Sequence, residues 1–392
     1  MSLLWLTAYP LKGFEKSLVL ARPLREMHSC SWVVNLLPEI RKKYSGEIHL
    51  ITVSTDIKMD QYIYHENIHY HILKKGLPLI NRSFPSWFPL DVFFGFFLLR
   101  KKVCKKINKI HPKIIHAYGT ESIYGISAVS QNKFLALISI QGVITELVKI
   151  SPSLRFKLIS FWERYTIKRN KNFECRTHFD SSFVKKVNPS AKTYFLNRAI
   201  NKKFFVKREY STNHKILFVG SLLPWKGVDF LINSFELVLK KIPTSSLIII
   251  GDGPQKNLLE NLSKKLGISN KISFLGIKSS DEISNFHQSC QLFVLPSRND
   301  NSPNALAEAM ASGMPVIATD VGGVSSMFEN ENSGILVPSE NKYILSEKIV
   351  SLLLDCNECK RLGSNAQLLI KNKSYPEKVA DDALKIYNEL GS

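Results

Sequence analysis

Five short apolar runs in the second half of the chain each end at turn residues, and helical periodicity lies between them. They are Lys215 to Gly220, Leu247 to Ile250, Ile272 to Leu275, Leu292 to Leu295 and Val316 to Ala318. Each is too short for a helix and apolar on both faces, the pattern of a strand buried in a parallel sheet. Phe230 to Ile242 has helical spacing, with Leu231, Phe235, Val238 and Leu239 on one face. Strands alternating with helices imply a doubly wound α/β domain, in which ligands bind at the carboxyl ends of the strands.

One of these strand ends is chemically explicit. From Leu295 to Pro315 the chain reads strand, polar loop, helix, stop. Ser302 is the expected N-cap and Pro303 the expected first helical residue. Asn304 to Ser312 is helix-forming and rich in Ala; Gly313 and Pro315 end it. A helix that opens just past a strand offers free N–H groups and the positive end of its dipole to phosphate. Asp300 in the loop and Glu308 in the helix lie eight residues apart. Carboxylates are repelled by phosphate, so they are assigned to hydroxyl groups. Phosphates in the middle and polyols at both ends describe a nucleotide-sugar; the bland alternative is an ordinary αβ unit with solvated acids.

This segment resembles the E-x7-E region of retaining glycosyltransferases of family 4, group 1 enzymes with the GT-B fold. Glu308 matches the second Glu, and Asp300 stands at the first. Ser221-Leu-Leu-Pro-Trp-Lys226-Gly227 resembles the family's Gly-Arg-x-x-x-x-Lys-Gly, with Ser221 at the Arg position. Gly251-Asp-Gly253-Pro resembles its Gly-x-Gly-Pro turn. Gly322-Gly323 resembles its Asp-x-Gly-Gly turn, either a backbone approach to the donor sugar or simple turn chemistry. The resemblance covers about residues 215 to 390 well. It implies donor binding by Gly220, Ser221, Gly253, Pro303, Asn304, Ala305 and Glu308, with Lys226 on the leaving diphosphate and Asp300 at the reacting sugar. An ammonium is suited to that diphosphate. With Lys226 and helix N–H groups available, no cofactor and no obligatory metal are expected.

The first half reads as a second Rossmann-like unit. Leu3 to Thr7, Ile48 to Val53, Ile114 to His116 and Ala136 to Ile140 are expected strands; Ser31 to Lys43 and Val92 to Ile110 are expected helices. His116-Ala-Tyr118-Gly119 resembles the family's His-x-His-Gly strand end, and Gln141 stands where a His normally faces the reaction centre. The resemblance assigns His116, Tyr118 and Glu121 to the acceptor and Gln141 to the catalytic set. Gln cannot act as a base but can bond a sugar hydroxyl. Retaining enzymes of this fold are described as front-face transfers in which the leaving diphosphate helps take the acceptor proton, so catalysis rests on positioning and charge. The family's Gly-Gly loop is missing; Gly13 or Ser29 to Ser31 could meet phosphate, and His28 is read as structural. The expected architecture is two Rossmann-like domains facing across a cleft. They are a 1–200 acceptor domain and a 201–374 nucleotide-sugar domain, and 375–392 is a helix returning to the first.

Composition narrows the partners. The 392 residues suit two domains. Six cysteines form no disulfide framework, and Cys356-x-x-Cys359 has no second pair nearby, which points to a reducing, cytoplasmic setting. No secretory signal is read at the start, and Trp87 to Leu99 is too short and broken to span a membrane. Residues 1–200 hold 31 of the 53 Lys and Arg but only 13 of the 33 acids, so nearly all of the net +20 lies there. That asymmetry points to an anionic partner for the first domain. Basic and aromatic residues from Arg155 to Lys171 have helical spacing, either an amphipathic helix on the inner leaflet or a core helix with a basic face. The leading expectation is a glycosyltransferase that moves sugar from a UDP- or GDP-linked donor to a lipid-linked or polysaccharide acceptor, cytoplasmic and peripheral on an anionic membrane. A nucleotide-sugar epimerase of the same fold needs acid–base side chains that Gln141 does not supply. A nucleic-acid-binding protein lacks a recognisable module, so no nucleic acid is expected.

Overall fold

The computed structural model describes residues 2–24, 31–75, 89–328 and 332–391. Of the residues singled out from the sequence, His28, Ser29 and Cys30 of the Ser29 to Ser31 loop, and Trp87 lie outside the described residues. Two compact units result: residues 1–197 with 379–392, and residues 198–378.

The first unit is built on eight strands: β1 (Ser2–Leu6), β2 (Glu47–Ser54), β3 (Gln61–His65), β4 (Ile68–Lys74), β5 (Ile114–Tyr118), β6 (Leu135–Ser139), β7 (Asn172–Cys175) and β8 (Lys192–Phe195). Their order is β3-β4-β2-β1-β5-β6-β7-β8. Every pairing is parallel except the β3–β4 hairpin. That hairpin, β7 and β8 were not among the expected strands. β3 reads Gln-Tyr-Ile-Tyr-His and is mostly exposed, so it lacks the apolar run that marks its neighbours. The expected helix from Val92 to Ile110 is two helices, Leu90–Phe93 and Phe97–Ile110. Gly95 (φ 55°) and Phe96 (φ 54°) both stand in the left-handed region and break it.

The second unit carries β9 (Lys215–Val219), β10 (Ser246–Ile250), β11 (Ile272–Phe274), β12 (Leu292–Leu295), β13 (Val316–Thr319) and β14 (Ile335–Val337). All are parallel, in the order β11-β10-β9-β12-β13-β14. Five of the six were legible as apolar runs; β14 was not. The helix Val228–Lys241 buries Phe230, Leu231, Phe235 and Val238 in a core shared with Ile216, Phe218 and Ile249 of the sheet. Each fully buried side chain of this size contributes about 1.5–3 kcal/mol.

The helix after β12 differs from expectation at both ends. It runs Asn304–Ala311, with Pro303 as an extended N-cap residue and no side chain capping it. Ser302 therefore lies before the cap. Ser312 is the C-cap and Gly313 (φ 69°) turns the chain out.

The last helix, Pro376–Gly391, ends the second unit and supplies residues 379–391 to the first. Its Tyr387 is buried, with its hydroxyl 2.6 Å from His116 Nδ1. The other ring nitrogen, Nε2, lies 2.7 Å from Ser139 Oγ and 2.8 Å from Glu174 Oε2. Burial alone would raise Glu174, but bonding to His116 and the charges of His116 and Arg176 hold its carboxyl below the usual value. Removing one partner of a buried polar network leaves another unsatisfied, at about 1–3 kcal/mol. Tyr387→Phe keeps the ring and deletes the hydroxyl. It is expected to lower the urea midpoint of the first unit's transition, followed by near-ultraviolet circular dichroism; an unchanged midpoint would show that His116 needs no partner there.

Candidate functional site

The sheet of the second unit reverses its order between β9 and β12, so the loops that follow these two strands diverge to opposite sides. Such a switch point leaves a crevice at the carboxyl ends. Gly220 to Gly227 leaves β9 there, and Pro296 to Pro303 leaves β12. The loops are clamped together by backbone and by one guanidinium. Arg298 N–H donates to Trp225 O at 2.8 Å. Arg298 Nη1 donates to Pro224 O at 2.7 Å, and its two Nη groups grip Asp229 at 2.8 and 2.7 Å. Its Nε meets Glu340 at 2.5 Å. These two carboxylates hold Arg298 well above its ordinary value, the bond to Asp229 foremost. Arg298 was not among the expected site residues; its acidic partners lie far from it in sequence.

Lys226 and Asp300, assigned separate roles by resemblance, meet directly: Lys226 Nζ forms an ion pair with Asp300 Oδ2, and both side chains are largely buried. Ser297 Oγ also donates to Oδ2 at 3.3 Å, and Asn301 N–H donates to Oδ1 at 3.1 Å. The Gly322-Gly323 turn packs on the same loop. A Cβ on Gly322 would stand 2.1 Å from Asp300 O, and Gly323 N–H donates to that oxygen at 3.0 Å. With φ at 57°, Gly322 is suited to this approach. The turn therefore supports the Asp300 backbone.

Gly253 has a similar packing reason. A Cβ there would stand 2.4 Å from Leu222 O, and its N–H is taken by Asp252 Oδ1 at 2.8 Å. The resemblance put Gly253 on the donor; in the structure its α-carbon faces the β9 loop backbone. Gly220 N–H is bonded to Ile250 O at 2.9 Å, within the same pair of loops, and Ser221 is exposed.

Beyond Asp300, Pro303, Asn304 and Ala305 form the entrance to the helix that carries Glu308. The first N–H groups of a helix have no intrahelical partner, and no side chain caps this end. Arg198 reaches across to it: Nη1 donates to Ser302 O at 3.1 Å and bonds Asn304 Oδ1. Burial pushes the Glu308 carboxyl up to about 7, and the positive charge of Arg198 acts against that rise. Arg198 was missed because it lies 110 residues before Glu308, outside every motif.

In the first unit the order reverses between β1 and β5. Gln141 follows β6, next to Ile140, whose carbonyl accepts from Arg176 Nη1. Glu121, just past β5, accepts from Thr120 Oγ1 at 3.3 Å, and burial raises its carboxyl. Glu163 was not anticipated. It is fully buried and accepts from Ile144 N–H at 2.8 Å, Thr145 N–H at 2.9 Å and Thr145 Oγ1 at 2.6 Å. Burial lifts it to about 7. His116 and Tyr118, which the resemblance assigned to the acceptor, lie inside the unit. His116 is fully buried with both ring nitrogens bonded inside the unit, and Tyr118 is buried with its ring stacked 4.4 Å from that of His116. His116 belongs to the packing of the last helix on the sheet. Gly13 lies in a short 3-10 helix, Lys12–Ser17.

The chemistry of Glu308 is directly measurable. Its carboxyl is expected to titrate with a midpoint near 7 by carbon-13 NMR, because burial favours the neutral form. Arg198→Met removes the opposing charge, so the midpoint moves up. A midpoint unmoved by that substitution would show that Arg198 does not act on the carboxylate.

Residues 199–369 match the family model described as glycosyl transferases group 1. An uncharacterized glycosyltransferase of Methanocaldococcus jannaschii is 36% identical over 174 residues, 44% of this chain and 48% of that protein. The chain thus spans about half the length of the curated relatives it matches. Among solved structures, sucrose-phosphate synthase of Thermosynechococcus elongatus is similar with a TM-score of 0.81 at 18% identity, over 100% of this chain and 99% of that one. Anabaena HepE in complex with UDP-glucose is similar with a TM-score of 0.70 at 15% identity, over 99% and 100%. At these identities the likeness is one of fold. The fold is GT-B, and residues 199–369 are similar to the group 1 glycosyl transferases.

Proposed function

We propose that the chain is a retaining glycosyltransferase of the family 4 kind. In this reading it transfers one sugar from a UDP- or GDP-linked donor to a lipid-linked or polysaccharide acceptor at the cytoplasmic face of a membrane. The observation that carries it is the Lys226–Asp300 ion pair at the switch point, beside an uncapped helix N-terminus that leads to Glu308. A solved structure of similar fold, HepE, is described in complex with UDP-glucose, which supports a nucleotide-sugar donor.

The roles follow from charge. The first-turn N–H groups at Asn304 and Ala305 and the helix dipole meet the diphosphate. Lys226 turns from Asp300 to the diphosphate as the donor enters, and Asp300 is then free to accept from hydroxyls of the sugar. Glu308, ionised above about 7, accepts from the ribose hydroxyls. Arg198 holds the Ser302–Asn304 turn and favours that ionised form. Negative charge grows on the leaving diphosphate in the transition state, so a cation fixed beside it lowers the barrier. Lys226 and the helix end supply this stabilisation without a metal ion. Gln141 and Glu121, at the strand ends of the first unit, serve the acceptor as hydrogen-bonding groups, and the acceptor's proton leaves with the diphosphate.

The test is release of UDP or GDP from candidate donors in the presence of a crude glycolipid fraction; release from none of them overturns the reading. Two substitutions assign the roles. Glu308→Ala removes charge-assisted bonds worth about 1.5–3 kcal/mol each. It should raise the donor dissociation constant at least about tenfold in calorimetry, with circular dichroism unchanged. Equal affinity would detach Glu308 from the nucleotide. Lys226→Ala should reduce kcat more than it weakens donor binding, since its contact strengthens in the transition state. If kcat at saturating donor stays within about twofold of the original, the leaving group is stabilised by another residue.

A further inference from the structure

We infer that the first unit docks on an anionic lipid surface through an aromatic patch formed where the Leu90–Phe93 and Phe97–Ile110 helices meet the helix Leu154–Arg169. Single exposed apolar residues are ordinary, whereas a contiguous cluster marks an interaction surface. Here Phe93, Phe94, Phe97 and Leu98 are 48%, 59%, 54% and 44% exposed, and Phe161 is 59% exposed.

Trp162 makes these residues one patch. Its indole Nε1 donates to Val92 O at 2.6 Å, beneath the turn that carries Phe93 and Phe94. A Cβ on Gly95 would stand 2.4 Å from the same ring, so the turn lies flat against it. Phe161 meets the other side of Trp162 edge-on, with ring centres 5.3 Å apart. The turn sends Phe96 into the core while its neighbours face solvent.

The charge around the patch is predominantly positive. On the helix Leu154–Arg169, Leu154, Lys157, Phe161, Arg164 and Lys168 are all exposed, at intervals of three and four residues that place them on one face. Phe97, Lys101 and Lys105 repeat the arrangement on the helix Phe97–Ile110, which contains six Lys or Arg and no acid. Two acids pair with these helices, Asp91 at 3.8 Å from Arg155 and Asp60 on Lys102, while Glu163 is buried on the opposite face. Apolar tips among cations, on helices lying along the surface, are what an anionic interface recognises. No helix among the described residues is long and apolar enough to cross a membrane, so contact of this kind is interfacial. A lipid surface is where a lipid-linked acceptor resides. The inference deepens that part of the proposed function, but vesicle binding is measured without donor or acceptor, so either reading can fail alone.

The experiment is sedimentation of the full chain with vesicles of phosphatidylcholine, with and without phosphatidylglycerol. Binding is expected only with phosphatidylglycerol, and it should fall steeply between about 0.05 and 0.5 M salt as the surface potential is screened. Replacing Phe94, Phe97 and Phe161 together by Ser should weaken it by about tenfold. Replacing Lys101, Lys105, Lys157, Arg164 and Lys168 by Gln should abolish it. All these positions are exposed, and unchanged circular dichroism and donor affinity check the fold. Phe94→Trp, a conservative change, should show a blue-shifted indole emission on the anionic vesicles. Absence of binding at low salt, equal binding to neutral vesicles, or an aromatic triple variant that binds like the original would overturn the inference. So would concentration-dependent self-association through the same residues without vesicle binding, which would make the patch a protein interface.

Discussion

The pairing of β9 with β12 is the contact on which the second unit's chemistry depends. Only Ile216 with Leu292 and Leu217 with Phe293 are in register, and Gln291 N–H extends the ladder to Lys215 O at 2.9 Å. This short parallel ladder joins strands more than seventy residues apart and sets the line at which the strand order turns back. Because all six strands run the same way, each delivers its following loop to the same edge. The glycines, Arg298 and the Lys226–Asp300 pair then act on loops that the ladder has already brought together.

Lys226 and Asp300 neutralise each other across the switch point. A free ammonium beside a helix N-terminus would be repelled by the dipole, and a free carboxylate would be held there unproductively. Pairing them removes both problems; in the proposed function an incoming diphosphate takes the place of Asp300 on Lys226. Arg298 is bound on several sides and stays with the scaffold, whereas Arg198 touches the entrance of the helix. The site thus divides its arginines between holding the loops and tuning the carboxylate. Glu308 near 7 is the group that this tuning reaches.

The sequence revealed what burial writes into a chain. Five strands of the second unit are apolar on both faces, so they could be read directly, and the spacing of Asp300, Glu308 and Lys226 from strand ends located the crevice. Long-range pairings were not legible. His116 looks like a ligand-binding histidine until Tyr387, 271 residues away, is seen on its ring. Arg198 and Glu163 carry no local signature, because their importance comes from burial and from partners supplied by other elements. β3 escaped because an exposed edge strand does not need an apolar run, and the break at Gly95-Phe96 escaped because Phe in a left-handed conformation is seldom expected.

The contact between Tyr387 and His116 has a consequence for the order of synthesis. The first unit is discontinuous in sequence, and the second is inserted within it as one continuous stretch. As the chain leaves the ribosome, the first 197 residues appear without the segment that covers His116, Ser139 and Glu174. Domains fold as units while synthesis proceeds, so the second unit can complete its core while the first still waits for its final helix. The first 197 residues are thereby completed only after the whole of the second unit has emerged.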